Sequence, residues 1–195
     1  ALKTPPMCHV EAMNTGSKNK SPRQAGQQED NAMAITGNGY IKRPEFMMLA
    51  DVSAGGGSPE WELIGDKIEE LAITMNPNVA TVTDVTGNTS TTLDKYEPTT
   101  SAEPFMAKRD SKLFGVLYDI VREEKTLSDV ERLFCCVSVF DKDGDKYAAW
   151  TQKGIVAVQS FGGDTTGLSV PFEVHWVGGK THGSFDPATK TFAGA

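Results

Sequence analysis

Residues 174–181 end in Gly-Gly-Lys-Thr, a grouping that in a phosphate-binding loop cradles a nucleotide with backbone N–H groups and a lysine. That chemistry also needs a glycine where Val174 stands and a helix after the Lys-Thr pair, and Thr181-His-Gly-Ser-Phe185 has no helical pattern. The stretch reads as a hairpin turn. Asp141, Asp143 and Asp145 have the alternate spacing that opens a calcium loop, but the sixth position is Lys146 instead of Gly and the twelfth is Gln152 instead of Glu. An acidic surface turn is expected there. His9, His175 and His182, with Cys8, Cys135 and Cys136, are too scattered for the regular spacing of a zinc site. No Gly-x-Ser-x-Gly elbow is present, and the glycine clusters lack the strand–helix unit of a dinucleotide site. No enzyme activity, catalytic residue, cofactor or metal is therefore expected.

The elements that would have to position any such group divide the chain in two. Residues 1–45 are polar and carry six Lys/Arg against four Asp/Glu, whereas residues 46–195 carry 13 against 22. A basic arm precedes an acidic body. The arm has little to bury and cannot offset its own ordering entropy unaided. Met33, Ile35, Tyr40 and Ile41 are the residues that would give it grip on a neighbouring subunit. An acidic body argues against tight nucleic-acid binding, which depends on Lys and Arg neutralising phosphates. No run approaches the roughly 18 apolar residues of a membrane span. An odd number of cysteines, three, without an apolar leader predicts a reducing compartment. Adjacent strand residues face opposite ways, so Cys135 and Cys136 are poorly placed to pair with each other.

From Glu60 onward the pattern is mainly strand. Trp61 to Ile64 and Ile68 to Met75 are apolar, Asn76-Pro-Asn78 interrupts, and the β-branched run Val79 to Val85 turns at Gly87-Asn88 into a return strand over Thr91 to Pro98. One helix is predicted over about 111–124, capped by Asp110 or Ser111, with Leu113, Leu117, Ile120 and Val121 on one face. Leu133 to Phe140 reads as a central strand, Asp143-Gly144 as a hairpin turn, and Lys146 to Thr151 and Gly154 to Phe161 as two further strands. Gly162 to Gly167 reads as a longer loop, after which Leu168, Val170, Phe172, Val174 and Trp176 alternate cleanly with polar neighbours. Gly178-Gly179 then turns the chain toward a last pair around Asp186-Pro187. The expected fold is mainly β: an antiparallel sandwich or barrel with one flanking helix.

The order of Ile64-Gly-Asp-Lys-Ile-Glu-Glu-Leu71, Ile73 to Asp84, Lys95-Tyr-Glu-Pro98, Glu103 to Asp110, Leu113 to Val121 and Val174-His-Trp-Val-Gly-Gly179 resembles the major tail proteins of long-tailed phages, the tail-tube proteins. The likeness starts at Trp61 and excludes the 1–45 arm. It implies hexameric rings stacked into a tube, contacts with itself and with other phage tail proteins, a place in the virion tail, and DNA passing through the lumen without specific binding. Acids facing the lumen would keep DNA sliding, and the candidates are Asp84, Asp94, Glu97 and Glu173. The alternatives are a soluble ligand- or carbohydrate-binding β-sandwich using Trp150 and Trp176, or the tube of a phage-derived injection device.

Overall fold

A computed structural model describes residues 38–53 and 57–195. A single 3-10 turn at Arg43–Glu45 leads into β1 (Phe46–Asp51), followed by β2 (Trp61–Ile64), β3 (Pro77–Thr83), β4 (Thr89–Tyr96) and β5 (Thr99–Ala102). Helix α1 (Lys112–Glu123) and a 3-10 turn at Leu127–Val130 precede β6 (Glu131–Asp143), β7 (Lys146–Val158), β8 (Gly162–Asp164), β9 (Gly167–Ser169), β10 (Phe172–Asp186) and β11 (Thr191–Gly194). Seven strands make one antiparallel sheet in the order β11-β10-β7-β6-β1-β2, with β5 also on β10. The sheet curls into a half-barrel with α1 on its flank, the mainly β fold expected from the sequence.

The sheet is apolar on both faces, and strand alternation separates them. Met48, Ala50, Phe134, Cys136, Val156, Val174 and Trp176 join Leu113, Leu117 and Ile120 of α1 in the main core. Leu49, Trp61, Cys135, Val137, Ala149 and Phe185 form a smaller cluster. Cys135 and Cys136 thus lie in different clusters, as their adjacency in a strand requires. Burying Leu113, Leu117 and Ile120 contributes about 1.5–3 kcal/mol each. The helix start is fixed by two caps: Ser111 Oγ accepts from Phe114 N–H at 3.0 Å, and Glu62 of β2 accepts from Ser111 Oγ at 2.6 Å and from Leu113 N–H at 3.0 Å. A carboxylate there also favours the positive end of the helix dipole.

Four sequence expectations are corrected. Residues 146–158 form one strand, not two, because β6 and β10 flank β7 through Gly154. That glycine is a packing position: a Cβ would come within 2.4 Å of Val174 Cγ1. Gly178-Gly179 is not a turn but a bulge between Val177 and Thr181 inside β10, and Gln152 Nε2 donates to Gly178 O at 3.2 Å. Residues 162–169 contain the short β8–β9 hairpin instead of a loop. Residues 68–75 run without regular strand and are tied by isolated bridges, Glu70 to Glu103 and Thr74 to Thr99.

Thr100 of β5 is 1% exposed and accepts from Trp176 Nε1 at 2.9 Å, one of the few side-chain bonds within the core. Thr100→Val leaves that indole N–H buried without an acceptor and is expected to lower unfolding free energy by about 1–3 kcal/mol. A urea midpoint that falls for Thr100→Val and stays near the parent for Thr100→Ser is the expected result.

Candidate functional site

Within the sheet most strands have partners on both sides, and the exceptions are where another chain could attach. The largest exception is the β3–β4 hairpin, a separate two-stranded sheet. Every residue of both strands is exposed. Val79, Val82, Leu93 and Tyr96 are 54%, 62%, 47% and 50% exposed. A lone hairpin in water is marginally stable at best. This one is held at its base, where Asn76 Nδ2 donates to Glu97 O at 3.1 Å and to Thr99 Oγ1 at 3.2 Å. Asn76 itself has φ 43°, a left-handed conformation that asparagine tolerates. On one face Val79 pairs with Leu93, and two threonine pairs continue the row, Thr81–Thr91 at 3.2 Å and Thr83–Thr89 at 3.1 Å between hydroxyls.

A second uncovered region lies at the far end of β7. Pairing with β6 begins at Glu131–Ile155, whereas β7 runs on to Val158. Val156, Ala157 and Val158 have β10 on one side and no paired strand on the other among the described residues. Beside this end is a groove of about 600 Å³ between α1, the Leu127–Val130 turn and β7. Leu127 on its rim is 85% exposed and has φ 59°. A branched side chain in that region costs roughly 1–2 kcal/mol. Tyr118 and Phe161 continue the apolar surface, their rings 5.8 Å apart.

The structure separates the four acidic candidates. Asp84 sits at the hairpin tip, Asp94 in β4 and Glu97 just after it, where Glu97 pairs with Lys95 at 2.7 Å. Glu173 is on β10, opposite Ser101 and Ala157 and 3.6 Å from His175 Nε2. Asp84 is committed to its turn, accepting from Thr86 N–H at 2.8 Å, Thr86 Oγ1 at 2.6 Å and Asn88 N–H at 2.9 Å. Of the arm candidates, Tyr40 and Ile41 are exposed, and Met33 and Ile35 lie outside the described residues, as do Cys8 and His9. Trp176, a carbohydrate candidate, is 7% exposed, and Trp150 packs against Phe46 with Lys180 over its ring. Residues 174–181 lie inside β10, so no helix follows the Lys-Thr pair. Among the described residues no group of three His, Cys, Asp or Glu is placed to hold a metal ion, and no helix is long and apolar enough to cross a membrane. Sequence reading found the hairpin but missed its complete exposure and missed Leu127.

Three hairpin turns share one device. Asp84, Asp164 and Asp186 each accept the N–H two residues on, from Thr86, Thr166 and Ala188. The Thr86 hydroxyl, the Thr166 hydroxyl and the Ala188 N–H, respectively, do most to hold these carboxyls below the usual carboxylate range. A lowered folded pKa stabilises the turns above the unfolded value of about 3.9 and withdraws that support as pH falls through the folded value. In an NMR titration the Thr86, Thr166 and Ala188 amides should therefore hold their shifts from neutral pH down to about 4 and move below it. Midpoints at 5 or higher would contradict the turn assignment.

No protein-family model and no curated protein matches the chain. Among solved structures, the chain is similar to one from the cryo-EM structure of the anti-feeding prophage cap (AFP tube terminating cap), with 13% identity, 79% of this chain and 97% of that chain covered, and a TM-score of 0.43. Nothing about this chain follows from a similarity of that size.

Proposed function

We propose that this chain is a non-enzymatic structural subunit of a phage-type tail that self-assembles into stacked hexameric rings and so builds the tube through which genome DNA leaves. The observation that carries self-assembly is the β3–β4 hairpin, exposed at every residue of both strands. Strand pairs of this kind gain stability when a neighbour covers a face or extends a ladder. The tube reading is supported by the ordered resemblance of residues from Trp61 onward to tail-tube proteins. The acidic balance of residues 46–195 suits a conduit that DNA passes without adhering. The failed phosphate, calcium and hydrolase motifs support the absence of catalysis. Of the two tryptophans that a ligand-binding sandwich would use, Trp176 is core and only Trp150 is partly exposed.

Negative-stain electron microscopy of the purified full chain is expected to show rings or tubes. Replacing residues 78–95 by a short Gly-Ser link should leave the seven-stranded sheet folded, by far-UV circular dichroism, while abolishing those particles. A chain that stays monomeric at high concentration in every salt would overturn the proposal.

A further inference from the structure

We propose that the groove between α1, the Leu127–Val130 turn and the open end of β7 receives the β3–β4 hairpin of a second copy of this chain. The inference rests on the self-assembly reading above and names its interface. Two incomplete surfaces on one molecule have matching needs. The hairpin presents apolar and β-branched side chains on strands that, among the described residues, pair only with each other. The groove is lined by apolar residues of α1 and β7 and borders three residues of β7 with no paired strand on one side. An extended segment laid there would continue the β10–β7 ladder outward and cover the groove in one step.

Dimensions agree with partial insertion. Seven residues of β3 span about 23 Å and three residues of β7 about 10 Å, so part of a hairpin strand would pair and the rest would lie over Leu127 and Phe161. Gln159 N–H donates to Pro171 O at 2.9 Å, so by strand alternation the Ala157 backbone bonds β10 and the backbone groups of Val156 and Val158 face the open side. Leu127 is the second pointer. It is held with φ 59° and its side chain 85% exposed, an arrangement that buries nothing in the isolated chain and places an apolar knob where a covering strand would meet it. Charge permits the contact without selecting it: Glu124 and Lys125 lie at the groove, and Asp94, Lys95 and Glu97 lie on or beside β4.

Val82→Asp and Leu127→Asp test this in the full chain. Both residues are exposed, so each variant should keep the parent's circular dichroism and melting profile. Each alone should raise the concentration needed for assembly by roughly tenfold or more, as loss of an interface anchor does. The decisive measurement mixes them. Tagged Val82→Asp should retain untagged Leu127→Asp, because one brings an intact groove and the other an intact hairpin, while neither variant retains itself. If Leu127→Asp assembles like the parent and Val82→Asp does not, the groove assignment is overturned and self-assembly through the hairpin stands. If both variants assemble like the parent, the hairpin–groove contact is overturned. If the parent never assembles, the self-assembly reading falls, and this inference with it.

Discussion

Backbone N–H and C=O groups in a strand must be paired or solvated, and the sides on which this chain leaves them unpaired govern the rest of its surface chemistry. The seven-stranded sheet meets the requirement internally: β6 lies between β1 and β7, and β7 lies between β6 and β10 along most of its length. Those long central strands carry much of the main core. The β3–β4 hairpin has none of this. Among the described residues its two strands pair with each other alone, and neither face is buried. Its order comes from the Asn76 anchor at the base, the Asp84 turn at the tip and the threonine rows between. Each of these is a local polar bond at an exposed site, where such bonds contribute on the order of 1 kcal/mol net. The molecule therefore joins a body with its own core to a hairpin that has none.

This division bears on the acidic residues. Asp84, Asp94 and Glu97 all belong to the hairpin or its base, and Asp84 and Glu97 are engaged in local contacts. If a hairpin is covered by a neighbour, acids on its covered face are desolvated, and a carboxylate there needs a partner. The same residues cannot be both buried in that contact and exposed to passing DNA. Glu173 is placed differently. It projects from β10 on the face opposite Val174 and Trp176, so its orientation is set by the body. Among the four candidates it is the one whose exposure does not depend on where the hairpin goes.

Much of the fold was legible because it depends on period and punctuation. The helix expected over about 111–124 followed from the spacing of Leu113, Leu117 and Ile120, and residue type narrowed its cap to Asp110 or Ser111, of which the fold uses Ser111. The pairing of Phe185 with Phe192 followed from Asp186-Pro187 between them. The opposed faces of Cys135 and Cys136 followed from adjacency alone. The misreadings concern glycines and covering partners. Gly154 read as the start of a new strand and Gly178-Gly179 as a turn, because glycine lacks a side chain to declare its role. In the fold Gly154 is needed for the approach of Val174, and Gly178, with φ 69°, lies in a bulge. The exposure of β3 and β4 was illegible for a different reason. Val and Thr suit a pleated surface whether or not something packs on it, so composition predicts the strand and says nothing of what covers it.

The hairpin and the β7 groove are different surfaces, built from residues 77–96 and from α1, β7 and the turn between α1 and β6. A contact that joins unlike surfaces of identical chains cannot be satisfied within an isolated twofold dimer by a single copy of that contact. Each added copy leaves a hairpin at one end and a groove at the other. Such contacts end in a closed ring when the rotation between copies divides a full turn, and otherwise continue as a helix. A self-complementary face would stop at two copies. In the proposed contact the body would set the angle between donor and acceptor surfaces, and the hairpin would supply the reach. Under that proposal, ring closure and the number of subunits would follow from how the curled sheet orients β7 against the anchor at Asn76.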